Sequence, residues 1–119
     1  MMNNKSVLHK SRPSVSVKDF SLEEIVSFVR ERLKGKGVEK AYIFGSVATN
    51  KTTHWSDIDI LIVTHTTLPF IERPKEFLDL LDLGIPVDIL VYTPREFKDL
   101  IKSNTGFWKG FKSTRLRII

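Results

Sequence analysis

The apolar residues of the N-terminal half alternate between helical spacing and short continuous runs. Ser21 and Glu24 form a capping box, which predicts the start of a helix. Apolar residues then recur three and four positions apart, at Leu22, Ile25, Val26, Val29 and Leu33. Two glycines in 35–37 end this helix, because glycine readily takes the left-handed conformation that follows a helix terminus. The continuous apolar runs 41–44 and 58–63 predict two buried strands.

The central part of the chain predicts a loop, a helix and a third strand. Residues 64–74 contain two prolines and lack a periodic pattern, which is typical of a loop. Residues 75–83 have helical spacing and stop at Gly84. The apolar run 86–92 predicts the third strand.

The C-terminal part begins with a clear helix start. Thr93 is a suitable cap, Pro94 suits the first turn and Glu96 completes a capping box. The apolar face of this helix comprises Phe97, Leu100 and Ile101. Residues 103–113 then interrupt the pattern, and 115–119 read as a short strand or a helical end.

The order helix, strand, strand, helix, strand, helix predicts an α+β fold with α/β-like alternation, a small mixed β-sheet with helices packed on it. We expect one domain over 17–119, because 119 residues are enough for one core but not for two. Residues 1–16 are polar and unpatterned, and predict a loosely ordered basic tail.

The net charge of +5 is unevenly distributed. Residues 1–18 hold four Lys or Arg and 102–119 hold five, with no acidic residue in either segment. Residues 19–101 have a net charge of −4. Basic ends attract an anionic partner such as a nucleotide or nucleic acid, or simply keep the chain soluble, and charge alone does not choose between these.

Cysteine content, apolar runs and the N-terminal segment bear on the cellular location of the protein. The chain has no cysteine, so disulfides and thiolate metal sites are excluded. It contains no apolar run of the roughly 18 residues that a membrane span needs. The N-terminus lacks the apolar core of a secretory signal. We therefore expect a cytoplasmic protein that does not contact membranes.

Three aspartates on the predicted strands carry the candidate chemistry. Asp57 and Asp59 point to one face of their strand while Ile58 points to the other. If the second and third strands are parallel neighbours, Asp88 lies near that pair. The segment between the first two strands is too short for a helical crossover, so those strands should be antiparallel and Gly45-Ser46 should lie at the aspartate end.

Such a cluster needs a compensating cation. Two carboxylates about 5 Å apart repel by about 3 kcal/mol at an effective dielectric constant near 20. Mg²⁺ is the natural partner, because it prefers oxygen ligands and leaves positions for water and substrate phosphates. Two such ions would form the clamp used in nucleotidyl transfer. Gly45 permits close approach to a phosphate, and Ser46 with the following amides can bind it.

Together these residues resemble the nucleotidyltransferase superfamily of DNA polymerase beta, and specifically its minimal nucleotidyltransferases. Their signature is Gly-Ser, ten residues and then Asp-x-Asp, matched by Gly45, Ser46, Asp57 and Asp59, with Asp88 as the third carboxylate. The resemblance implies that the three aspartates are catalytic and bind two Mg²⁺ ions, and that Asp88 helps to activate the acceptor hydroxyl. It implies that Gly45 and Ser46 hold the phosphates of ATP or another nucleoside triphosphate.

The resemblance also implies a biological role. Members of this size pair with a helical HEPN-like protein in toxin–antitoxin modules and transfer AMP to it, which predicts an antitoxin role here. Three alternatives stay open: a homo-oligomer that modifies a small molecule, as aminoglycoside-modifying relatives do, a non-catalytic partner-binding subunit, and a nucleic-acid-binding module. One departure is visible, because Thr49-Asn50 stands where relatives often have Arg-Gly, with Lys51 as a possible substitute.

Several aromatic and histidine residues allow a functional or a structural interpretation. For His54 and Trp55 we favour packing within the loop over acid–base or stacking roles. Lysines interrupt the aromatic cluster Phe107, Trp108 and Phe111. This cluster suits base stacking, a cap on the core or a partner interface, and we favour the interface.

Overall fold

A computed structural model describes residues 14–119, so residues 1–13 of the predicted tail lie outside the described residues. The four strands are β1 (Lys40–Phe44), β2 (Ile58–Val63), β3 (Val87–Tyr92) and β4 (Leu116–Arg117). The α-helices are α1 (Leu22–Leu33), α2 (Pro94–Leu100) and α3 (Gly106–Thr114). Two 3₁₀ helices complete the fold, a short one at Val17–Asp19 and a longer one, the kinked helix, at Phe70–Leu83.

The strands form one mixed sheet in the order β3-β2-β1-β4. β1 is antiparallel to β2 and to β4, whereas β2 and β3 are parallel. The register pairs Phe44 with Asp59 and Asp59 with Asp88. The predicted α+β architecture and the predicted strand directions are therefore confirmed.

Each face of the sheet supports its own core. On one face, β1 and β2 bury their isoleucines against α1 and the kinked helix; the core there includes Ile25, Val29, Leu33, Ile43, Ile58, Ile60, Ile62, Phe77 and Leu80. The other face is aromatic, and its core comprises Tyr42, Phe44, Leu61, Val63, Phe97, Trp108 and Phe111. The alternation of side chains along β2 places Asp59 on the aromatic face. Val17, near the start of the domain, packs in the core on the opposite face, and the buried Ser16 caps the short 3₁₀ helix.

The kinked helix begins at Phe70, within the segment predicted to be a loop, and its kink lies at Phe77. The reason is the buried Arg73, whose guanidinium donates to the Val91 carbonyl at 3.1 Å and to Glu96 Oε1 at 2.6 Å. This side chain ties the first turn to β3 and α2. The hydrogen bond from Arg73, followed by one from the Thr93 backbone, lowers the pKa of the Glu96 carboxyl. A pattern based on apolar residues cannot detect a helix start that a buried arginine anchors.

Most of α3 lies in residues 103–113, the segment in which the apolar pattern was interrupted. Trp108 and Phe111 are buried in the aromatic core, so the favoured interpretation of them as an interface is wrong, and they cap the core instead. Phe107 is 44% exposed and contacts the Phe44 ring edge-on at 5.9 Å between centroids. The burial of two large aromatic rings stabilises a helix that two glycines disfavour.

The chain ends in a strand, one of the two predicted alternatives. β4 pairs with β1, and Ile118 is buried behind it. Arg30 of α1 donates to the Ile118 carbonyl at 2.8 Å. None of the helices within residues 14–119 has the length and apolar character required to cross a membrane.

Candidate active site

Asp59 and Asp88 lie side by side on adjacent parallel strands. They are register partners in the β2–β3 ladder, where neighbouring strands run about 4.8 Å apart. Their carboxyl groups are close enough for one to hydrogen-bond to the other when it carries a proton. The sheet therefore brings together two of the three aspartates that the sequence singled out.

Asp57 lies one residue before β2 and is exposed. Its charge still acts on Asp59, because the two side chains leave the backbone on the same side. The three aspartates thus form one electrostatic cluster. Asp59 lies at its centre and is only partly exposed.

The cluster raises the pKa of the Asp59 carboxyl from 3.8 to about 6. Burial is the largest cause, followed by the negative charges of Asp88 and Asp57 and by the hydrogen bond with Asp88. Slightly below neutral pH, the Asp59 carboxyl can therefore hold a proton, which a cation bound beside it would displace.

No basic side chain within residues 14–119 forms a salt bridge with any of these three aspartates. Other aspartates behave differently. Asp79 pairs with Lys36 at 2.6 Å and Asp82 with Arg32 at 3.7 Å, both between the kinked helix and the α1 region. The negative charge of the cluster is therefore uncompensated in the described part of the chain.

The donor set suits a hard divalent cation in its chemistry, because it consists of carboxylate oxygens with excess negative charge. The three carboxylates are not gathered around one point, and in the described residues no group of three or more His, Cys, Asp or Glu side chains could hold a metal ion by itself. Asp57 points into solvent while Asp59 and Asp88 face each other. A bound Mg²⁺ would therefore need further oxygen ligands from phosphate and water, as Mg²⁺ sites at phosphates usually have.

Gly45 brings the Gly-Ser segment directly against this cluster. It follows the last residue of β1 and has a φ of +75°, which glycine adopts without strain. A Cβ atom at this position would lie 2.5 Å from Asp59 Oδ2. Only glycine fits both the backbone conformation and the space beside the carboxylate.

A tight helical turn follows Gly45. Thr49 N–H donates to the Gly45 carbonyl at 3.3 Å, and Lys51 N–H donates to the Ser46 carbonyl at 2.9 Å. The buried side chain of Val47 anchors this turn in the core. Among the described residues, the amides of Ser46 and Val47 donate no hydrogen bond to a backbone carbonyl, and the Ser46 hydroxyl lies beside them. Donors of this kind at the start of a helical turn are suited to phosphate.

The departure at Thr49-Asn50 preserves the shape of the turn. Asn50 has a φ of +58°, and asparagine is one of the few residues that tolerate this left-handed conformation in place of glycine. Thr49 Oγ1 donates to the Gly45 carbonyl at 3.2 Å. The guanidinium of the expected arginine has no counterpart, since Lys51 is exposed and forms no salt bridge with the aspartates within residues 14–119.

Thr114, at the end of α3, is a site residue that the sequence did not indicate. Its Oγ1 accepts a hydrogen bond from Gly45 N–H at 2.9 Å. The two residues are 69 positions apart in the chain, and no spacing rule connects them. Only the packing of α3 on the aromatic face of the sheet brings them into contact.

Within residues 14–119, the histidines and the tryptophan of the loops form no hydrogen bond or salt bridge with the three aspartates. His54 Nδ1 is 3.4 Å from Ser16 Oγ, so His54 contacts the start of the domain rather than its own loop, while Trp55 is 57% exposed. His65 Nε2 is 2.8 Å from Glu39 Oε2, at the opposite end of β2 from Asp59.

We expect Asp59 to make the protein less stable as the pH rises from about 4 to 6. Its carboxyl has a pKa of 3.8 in the unfolded chain and about 6 in the folded protein. Between these values the folded state binds more protons, so stability falls with rising pH and stays lower above pH 6. Because the carboxyl is partly exposed, solvent screening reduces the effect to about 1 kcal/mol.

Urea denaturation at pH 4 and pH 7.5 measures this effect. Asp59→Asn should match the wild-type stability at pH 4 and exceed it at pH 7.5. Asp99→Asn, which neutralises an exposed carboxylate on α2, is the control and should show no such difference. A gain from Asp59→Asn of equal size at both pH values would contradict the assignment.

The sequence profile of the family described as "Nucleotidyltransferase domain" matches residues 22–109. A search of curated proteins finds no significant match.

Among solved structures, the chain is similar to a toxin–antitoxin crystal structure with AMP-PNP, with a TM-score of 0.55 and 21% identity over 84% of this chain and 73% of that chain. It is similar to a candidate nucleotidyltransferase from Sulfolobus solfataricus, with a TM-score of 0.53 and 24% identity over 82% of this chain and 78% of that chain. A mutant of the toxin–antitoxin pair MntA–HpeT gives a TM-score of 0.54 and 19% identity over 84% and 73% of the two chains. At these identities the likeness shows a shared fold and nothing further.

Proposed function

The chain belongs to the nucleotidyltransferase domain family, and on that basis we propose that it transfers a nucleoside monophosphate, AMP from ATP, to a hydroxyl group of an acceptor. The observation that carries this proposal is the contact between Gly45 and the Asp59 carboxylate. This contact joins a turn with free amides to a carboxylate cluster. No basic side chain within residues 14–119 forms a salt bridge with that cluster. A triphosphate bound there would meet phosphate-binding donors and carboxylates at once.

Each group has a defined task in this reaction. The Ser46 hydroxyl and the free amides of the turn orient the phosphates. The acceptor oxygen attacks the α-phosphorus, the bond to the bridging oxygen breaks, and pyrophosphate leaves. Asp88 takes the proton of the acceptor hydroxyl. Asp57, Asp59 and Asp88 would hold two Mg²⁺ ions together with oxygen ligands from the phosphates and water, and these ions would neutralise charge on the phosphates.

We further propose that the acceptor is a HEPN-like partner protein and that this chain acts as the antitoxin of a cytoplasmic toxin–antitoxin pair. The support is structural similarity to two toxin–antitoxin structures, one of them with AMP-PNP. A homo-oligomer that modifies a small hydroxyl compound would use the same site. Nucleic acid is a weaker candidate, because the cluster of aspartates repels a phosphate backbone unless cations intervene.

The test uses the protein together with the protein that co-purifies with it, Mg²⁺ and ATP labelled on either the α- or the γ-phosphorus. We expect the α label on the partner, release of pyrophosphate and no γ label on the partner. Transfer of the γ label would show phosphoryl transfer instead. Inhibition of the partner without any label transfer would show a non-catalytic subunit. Parallel reactions with GTP, CTP and UTP determine the nucleotide.

A further inference from the structure

Thr114 makes two short hydrogen bonds through one hydroxyl group. It accepts from Gly45 N–H at 2.9 Å and donates to the Gly110 carbonyl at 2.8 Å. The second bond is a common one for threonine within a helix. The first is a long-range contact, and it joins the end of α3 to the turn that meets Asp59.

Gly45 is held from three directions. Thr114 fixes its amide, the N–H and the side chain of Thr49 contact its carbonyl, and the Asp59 carboxylate lies against its α-carbon. Because Gly45 has no side chain of its own, its backbone hydrogen bonds and this contact determine where the turn begins. A shift of the turn away from Asp59 would separate the phosphate donors from the carboxylates.

Thr114 is supported by the packing of α3 on the sheet. α3 is anchored by the buried Trp108 and Phe111, which pack against the aromatic face of the sheet that also carries Asp59. Phe111 contacts the ring of Phe44, the residue immediately before Gly45, at 5.2 Å between centroids. The aromatic core therefore sets the position of Thr114 relative to the turn.

We propose that Thr114 is a positioning residue of the nucleotide site, which holds Gly45 against Asp59 so that the phosphate-binding turn and the carboxylates keep their separation. This inference rests on the proposed function, because it concerns the same site. Thr114 does not contact the reacting atoms, and it acts only through the Gly45 amide.

Three substitutions separate this role from a general contribution to stability. Thr114→Val keeps the shape but removes the hydroxyl, whereas Thr114→Ser keeps the hydroxyl. Ser113→Ala is the matched control, because Ser113 Oγ also donates to the Gly110 carbonyl, at 3.0 Å, and makes no hydrogen bond to Gly45. Thr114→Ala serves as a second variant if valine prevents folding.

The probe is ATP in the presence and in the absence of Mg²⁺, and the measurements are its dissociation constant and the hydrogen exchange of the Gly45 amide. Thr114→Val should weaken ATP binding about fivefold, in line with the loss of one hydrogen bond, and speed Gly45 exchange. Thr114→Ser and Ser113→Ala should match the wild type in both measurements. Melting temperatures show whether each variant is folded under the assay conditions.

The possible failures can be told apart. Equal ATP affinity and equal Gly45 exchange in the wild type and Thr114→Val would overturn the role of Thr114 and leave the proposed function intact. A loss of affinity in Ser113→Ala equal to that in Thr114→Val would overturn it too, since the helix end rather than the Gly45 contact would then be responsible. Absence of ATP binding by the wild-type protein would overturn both proposals.

Discussion

Replacing Asp59 with asparagine is expected to lower the rate of nucleotidyl transfer by about 10³-fold or more. In the proposed reaction Asp59 holds a cation, and loss of such a carboxylate removes several kcal/mol of stabilisation from the transition state, where each 1.36 kcal/mol is tenfold in rate. Asparagine has nearly the same shape, so the packing beside Gly45 is retained. The fold should become more stable at neutral pH, because Asp59 is partly buried and repelled by Asp57 and Asp88.

The measurement is the initial rate of transfer of the α label to the partner at saturating ATP, with the melting temperature of each variant alongside. Asp99→Asn controls for the loss of one surface charge and should retain the full rate. A variant that is more stable and inactive would show that the cluster is kept for chemistry at a cost in stability. Full activity of Asp59→Asn would exclude the carboxylate cluster as the active site.

Replacing Gly45 with alanine is expected to destabilise the protein by about 2–4 kcal/mol and to abolish detectable ATP binding. The left-handed backbone costs a residue with a side chain about 1–2 kcal/mol. The added Cβ would also lie 2.5 Å from Asp59 Oδ2, so the turn or the carboxylate must move. Either movement separates the two halves of the site.

Gly35→Ala is the matched control for this prediction. Gly35 has a φ of +80°, but no heavy atom lies within 4 Å of its added Cβ, so it reports the backbone cost alone. Urea denaturation should show a smaller loss for Gly35→Ala than for Gly45→Ala. Adding Asp59→Ala to Gly45→Ala should restore part of the lost stability, because it removes the colliding carboxylate. Equal losses at the two glycines would show that the contact with Asp59 has no energetic consequence.

Much of the fold follows from local patterns in the sequence. The capping boxes at Ser21 and Thr93 form as predicted, and the apolar runs become β1, β2 and β3. These features involve residues at most a few positions apart, so short-range geometry decides them. The pairing of Asp59 with Asp88 also follows, because two parallel strands joined by one helical segment have few possible arrangements.

The extents of two helices, α3 and the kinked helix, could not be predicted in the same way. Glycines interrupt the apolar periodicity between 103 and 113, yet α3 forms because Trp108 and Phe111 find a core to enter. The kinked helix begins early because Arg73 reaches the carbonyl of Val91. In both places a distant partner outweighs the local preference, and that partner exists only after the sheet has assembled.

The sequence by itself determined β1, β2 and β3, the directions of these strands and the placement of Asp57 and Asp59 on one side of the chain at the start of β2, because these depend on alternation and on chain length. Tertiary structure alone decided that Gly45 touches the Asp59 carboxylate and that Thr114 binds the Gly45 amide. Those contacts depend on ångström distances between segments up to 69 residues apart, and such distances are set by how α3 packs on the aromatic face.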